Sequence, residues 1–173
     1  EQLLADYLMK NTEDPGFQKY LLGKLVDDTI ATIFRQTMFA EFELNCHTLA
    51  EKGEPLSLEI LREEYRKLLR DYFGPEMVLE EESDLEGLRI PHFYTPFYVY
   101  KYATGLSAAI SLSRQVLEGG KSERDRYLAF LCSGGSRYPL ESLALAGVDM
   151  EKEEPVKRAL EYFGTLVDRL SEN

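Results

Sequence analysis

The chain has 173 residues, enough for one domain with a sizeable core, and its 44% hydrophobic and 29% charged residues exclude a disordered chain. No apolar run approaches the roughly 20 residues needed to cross a bilayer, so no membrane partner is expected. Twenty Lys and Arg against 31 Asp and Glu leave a formal charge of −11, which argues against a phosphate-tracking surface and a nucleic-acid partner.

The chain opens on Glu1 rather than methionine, with Leu4, Tyr7 and Leu8 already at helical spacing. That start reads as a fragment or a processed chain. The first helix should reach about Lys10 and stop in the breaker-rich stretch Asn11-Thr12-Glu13-Asp14-Pro15-Gly16. Leu22, Val26, Ile30, Ile33, Phe34, Met38, Phe42, Cys46 and Leu49 then recur every three or four residues. They predict one helix over about 16–51, on the order of 50 Å long at 1.5 Å per residue, closed by Lys52-Gly53-Glu54-Pro55. Ser57 can cap a third helix with a Leu58, Leu61, Tyr65, Leu68, Leu69 and Tyr72 stripe, stopped by Gly74-Pro75. The acidic run after it, with Glu80, Glu81, Glu82, Asp84 and Glu86, reads as a solvated loop because like charges repel.

Residues 90–102 concentrate one of the two histidines, His92, with Tyr94, Tyr98, Tyr100 and Tyr102. Thr95-Pro96 has the form of a helix start, a hydroxyl cap followed by proline at the first position. The expected helix spans about 96–118, carries Tyr98, Tyr100 and Tyr102 in its first two turns, and leaves His92 on the entering turn. Imidazole and phenol can hydrogen-bond a carbonyl or a developing oxyanion. An aromatic helix face packed into a core has the same composition, and composition alone favours that reading. Beyond the tyrosines, Ala103 to Ser113 are mostly small residues, which predicts a closely packed helix.

Ser122-Glu123-Arg124-Asp125 has the form of a capping box, starting a short helix through Leu131. Ser133-Gly134-Gly135-Ser136 reads as a turn; its spacing fits neither common phosphate-binding motif. A short helix, Leu140 to Ala146, and a last one opening at Glu153-Glu154-Pro155 complete the chain. With no sustained strand alternation, the expected fold is all-α, a single helical domain over 1–173 built around the long helix and the central helix.

Several chemistries are excluded cheaply. Two histidines, His47 and His92, provide no His-Glu-x-x-His zinc helix, and His47 reads as a surface or helix-end residue. Cys46 and Cys132 are too few for a disulfide framework and have no metal-ligand spacing; both read as small, reduced core residues. No metal ligand is therefore expected in this chain. His92 with the tyrosines makes half of an active site, lacking base, metal and nucleophile.

Four ordered segments resemble the C-terminal part of the oligoendopeptidase F family, zinc metallopeptidases of the thimet-oligopeptidase-like superfamily. Glu1-Gln2-Leu3-Leu4-Ala5-Asp6-Tyr7-Leu8 resembles the helix that follows the glutamate zinc ligand. Phe34-Arg35-Gln36-Thr37-Met38-Phe39-Ala40-Glu41-Phe42-Glu43 is similar to the long-helix signature. Pro91-His92-Phe93-Tyr94 with Phe97-Tyr98-Val99-Tyr100-Lys101-Tyr102-Ala103-Thr104-Gly105 is the most specific likeness. Ser133-Gly134-Gly135-Ser136 followed by Ala146-Gly147-Val148-Asp149 resembles the closing segment.

The resemblance implies a cytoplasmic zinc endopeptidase of short peptides, in which a zinc-bound water attacks the scissile carbonyl with a glutamate as base. It implies that His92 binds substrate and steadies the tetrahedral intermediate. It makes Tyr100 the first choice for the oxyanion-stabilising phenol and Tyr98 the second, with Tyr94 and Tyr102 as substrate-binding residues. The zinc-binding helix and the third ligand would lie before Glu1, so the partners expected are an oligopeptide and the upstream part of the same polypeptide. The loop between histidine and tyrosines is shorter here than in the thimet branch, which leaves the assignment among the four tyrosines open. Alone, the chain is expected to be inactive and to self-associate through an uncovered apolar face. The alternative is a stand-alone helical interaction module with an aromatic groove and no catalysis.

Overall fold

The computed structural model describes residues 1–172. The expected all-α class is what it contains: eight α-helices, and no strand among the described residues. They are α1 (Gln2–Asn11), α2 (Pro15–Thr29), α3 (Arg35–Glu51), α4 (Leu58–Phe73), α5 (Tyr100–Glu118), α6 (Lys121–Ser133), α7 (Pro139–Leu145) and α8 (Glu154–Ser171). Chain contacts gather into two compact units, one of Glu1–Ile30 with residues from Thr104 onward, the other of Ala31–Ala103.

Local chemistry sets the helix ends. The Asp14 carboxylate accepts the Gly16 and Phe17 N–H groups at 2.8 and 3.3 Å, and Pro15 supplies the preset first helical residue. Ser57 caps α4 as expected, its Oγ accepting from Ile60 N–H at 3.4 Å, and Gly74 ends that helix at φ +76°, where a side chain would be strained. α6 differs from expectation. Its cap is Gly120, not Ser122, because Glu123 sits at the third helical position and its carboxylate accepts the Gly120 N–H at 2.9 Å.

The expected helix over 16–51 is helical from Pro15 to Glu51 but contains a π-turn, Ile30–Phe34, between α2 and α3. Just ahead of it the buried Thr29 hydroxyl donates to the Leu25 carbonyl at 2.8 Å, competing with the backbone ladder there.

In the first unit α2 buries Leu22, Leu25 and Val26 against Leu166 of α8, while Ala108 and Leu112 of α5 pack with Ala146 and Val148. The small residues of α5 do lie in an enclosed position, with Ser107, Ala108, Ser111 and Ser113 buried. In the second unit Met38, Phe39 and Phe42 of α3 meet Tyr65, Leu68 and Leu69 of α4, and Val99 completes the cluster.

The acidic run is not the solvated loop its charge suggests. Ser83–Leu88 forms a 3-10 turn on α4 with Asp84 buried, and Asp84 accepts from Arg62 Nε at 2.8 Å and Arg66 Nε at 2.6 Å. Glu86 accepts from the Tyr65 hydroxyl at 2.8 Å and pairs with Arg35. Gly87 sits where a Cβ would come within 2.6 Å of the Tyr65 ring, so a residue without a side chain allows this approach. Cys46 is half-buried and Cys132 is exposed, so only the former resembles the core thiol expected of both.

Candidate active site

The stretch that carries the histidine and tyrosines is fixed from both ends by apolar anchors. Pro91 opens a 3-10 turn, Pro91–Tyr94, on which successive side chains point about 120° apart. Phe93 packs edge-on against Phe39, with centroids 6.2 Å apart, and against Phe42 at 5.7 Å, so that His92 is turned off the core. The Thr95 N–H closes the turn on the His92 carbonyl at 3.0 Å.

The helix expected from Pro96 begins at Tyr100 instead. Thr95-Pro96 has the residues of a helix start, but Phe97 adopts φ +57°, a left-handed conformation that a helix cannot continue through. Two residues of α3 meet Phe97 there. Glu43 Oε1 accepts its N–H at 2.8 Å, and the His47 ring lies 4.8 Å from the Phe97 ring. Tyr98 therefore precedes the helix, Val99 is fully buried, and Tyr100 and Tyr102 lie in the first turn.

This turn brings three of the expected residues together. His92 Nε2 lies 3.1 Å from the Tyr102 hydroxyl. The Tyr98 ring stacks on the imidazole at 5.6 Å and meets the Tyr102 ring edge-on at 5.6 Å. Tyr98 and Tyr102 meet through the Phe97 turn rather than through four-residue spacing within one helix. The Lys101 ammonium lies 5.2 Å above the Tyr98 ring. Hydrogen bonding with Tyr98 holds the Tyr102 phenol above its ordinary value, helped by desolvation and by the charge Tyr98 would carry. Pro91, His92, Thr95 and Tyr98 line a recess of about 280 Å³.

Tyr100 and Tyr94 are 49% and 90% exposed. Glu43 and His47 were not read from the sequence as parts of the site. Glu43 is 54 residues from Phe97, and no local spacing signals that pairing; His47 is exposed, as its reading as a surface or helix-end residue has it, with its ring 4.8 Å from that of Phe97.

The arrangement offers an imidazole and phenols as hydrogen-bonding groups beside a concave surface. Among the described residues no three of His, Cys, Asp and Glu gather so as to hold a metal ion. The zinc implied by resemblance therefore has no ligand set here. No helix among the described residues is long and apolar enough to cross a membrane.

The sequence profile of Peptidase family M3 matches residues 1–162. The chain belongs to peptidase family M3. Among curated relatives it is 49% identical to the oligoendopeptidase F homolog of Borreliella burgdorferi, over 94% of this chain and 28% of that protein. It is 48% identical to the oligopeptidase PepF of Bacillus subtilis, over 99% of this chain and 26% of that protein. The crystal structure of oligoendopeptidase-F from Enterococcus faecium superposes with a TM-score of 0.93 at 41% identity, covering 98% of this chain and 32% of that one. The chain thus spans about a quarter to a third of the M3 peptidases it matches.

Proposed function

We propose that the chain is the C-terminal helical part of a zinc-dependent oligoendopeptidase that hydrolyses short peptides in the cytoplasm, and that it supplies substrate-binding and oxyanion-stabilising groups. The observation that carries this reading is the His92 imidazole held 3.1 Å from the Tyr102 hydroxyl with Tyr98 stacked on it, inside a family M3 chain. A donor cluster beside a recess suits a polarised carbonyl, since donors fixed in advance need no reorganisation as charge develops.

Roles follow from position. The Tyr102 hydroxyl is engaged by His92, so Tyr102 orients the imidazole, and Tyr98 fixes its plane. Tyr100, half-exposed at the start of α5, is the phenol we assign to the oxyanion, with Tyr98 second. Tyr94, at the rim, contacts the peptide. Zinc ligands come from other parts of the same polypeptide.

In the full-length enzyme, His92→Ala and Tyr100→Phe should each lower turnover about 100-fold, the usual cost of losing such a donor, with zinc content unchanged. Loss of zinc in either variant, or native turnover in both, would remove the assignment. The 173-residue chain by itself should show neither stoichiometric zinc nor peptide cleavage; finding both would refute the division of labour. Membrane-bound activity in fractionated cells would contradict the cytoplasmic location.

A further inference from the structure

Glu43 lies far in sequence from Tyr98 and Tyr100 but bonds the residue that immediately precedes Tyr98, Phe97. Phe97 holds φ +57°, which a residue with a Cβ adopts only at a cost. Such a conformation persists where the surroundings over-determine it. Here they do so twice, through Glu43 Oε1 on the Phe97 N–H at 2.8 Å and the His47 ring on the Phe97 ring at 4.8 Å.

Glu43 is 7% exposed and rises from the middle of α3 beside Phe39 and Phe42, which anchor that helix in the core. A carboxylate placed there has little water to bond, so the bond to Phe97 is of the stronger, charge-assisted kind. On the far side of Phe97, Val99 is fully buried. Tyr98 is therefore held between two fixed points, and α5, which cannot run through the left-handed residue, starts at Tyr100. Had Pro96 begun the helix, Tyr98 would sit in its first turn and its ring would leave the His92 plane.

We propose that Glu43 is a positioning residue: by accepting the Phe97 N–H it fixes the left-handed turn that sets Tyr98 against His92 and starts α5 at Tyr100. This rests on the catalytic reading of His92, Tyr98 and Tyr100, and it assigns Glu43 no contact with substrate. Gln retains an oxygen acceptor at the same reach, Asp withdraws it by one methylene, and Leu removes it.

The test uses the full-length enzyme, with zinc content and circular dichroism confirming each variant. Glu43→Leu and Glu43→Asp should lower kcat about ten- to 100-fold, the scale of a 1 Å misplacement, with KM changed less than about threefold. Glu43→Gln should restore kcat to within about threefold of native, a rescue that simple loss of core packing would not produce. In a Tyr98→Phe, Tyr100→Phe background, Glu43→Leu should cost less than about threefold more, because its effect passes through those phenols. Full additivity in that background, or native kcat in folded Glu43→Leu and Glu43→Asp, overturns the proposal while leaving the catalytic reading intact. If the tyrosine variants keep native turnover, the catalytic reading falls and a loss at Glu43 has another cause, so the proposal falls with it. If Glu43→Leu does not fold, Glu43→Asp and the Gln rescue decide the same question.

Discussion

Removing the Asp84 carboxylate should release the segment that leads to His92. Asp84 is 3% exposed and accepts from Arg62 and Arg66, one turn apart on α4. The same arginines bond the Glu80 and Glu81 carbonyls, so the pair holds both the side chain and the backbone of the acidic run. Two charge-assisted bonds are worth about 1.5–3 kcal/mol each. The guanidinium side chains remain 33% and 25% exposed and keep their carbonyl partners, so water offsets part of the loss on Asp84→Ala. The expected destabilisation is about 3 kcal/mol at pH 7. Burial pushes the Asp84 carboxyl up, but the bonds from Arg66 and Arg62 and their charges outweigh it and hold it below the ordinary range. A depressed folded value means the stabilisation is fully present above the unfolded value of about 3.9 and is lost as pH falls through the folded value. Urea unfolding followed by circular dichroism, native against Asp84→Ala, should therefore show a gap that is constant from neutrality to about pH 5 and closes in stronger acid. A gap under about 1 kcal/mol at pH 7, or one that persists unchanged in acid, would refute the clamp.

Gly87→Ala places a Cβ within 2.6 Å of the Tyr65 ring and 3.1 Å of the Phe42 ring, and should cost about 2 kcal/mol by overpacking; an unchanged urea midpoint would show that the rings yield freely. The two thiols of the isolated chain should react very differently. Burial pushes the Cys46 thiol up to about 11, assisted by the charges of Glu64 and Glu43. At pH 8 about one molecule in a thousand carries the thiolate, so alkylation should label exposed Cys132 first. Equal labelling rates, read by mass spectrometry, would contradict the burial of Cys46.

The helices were legible because their stripes are long and their ends carry local chemistry. Asp14-Pro15 and Ser57 act on atoms two or three residues away, which is the range a sequence reading covers. What escaped it depends on partners tens of residues away. The acidic run looks solvated until Arg62 and Arg66 are placed beside Asp84, 22 and 18 residues distant. Thr95-Pro96 looks like a helix start until Glu43 engages Phe97. His92 and the four tyrosines stand together in the sequence, and Tyr98 and Tyr102 meet the imidazole in space. Their arrangement in space followed from a turn with no local signature.

Those long-range partners share one chemistry, and it bears on what the site can be. Between residues 80 and 99 no regular α-helix holds the chain, and three carboxylates supply the missing order. Asp84 is clamped by two arginines, Glu86 bonds Tyr65 and Arg35, and Glu43 takes the Phe97 N–H. These acids are committed to the scaffold, and the polar groups that face the recess are the His92 imidazole, the Tyr98 phenol and the Thr95 hydroxyl. A site built this way donates hydrogen bonds without adding negative charge, the requirement for stabilising an oxyanion, whereas a carboxylate at the same place would repel one. Under the function proposed above, base and metal are supplied by another part of the polypeptide. That division agrees with a chain spanning about a quarter to a third of the peptidases it matches.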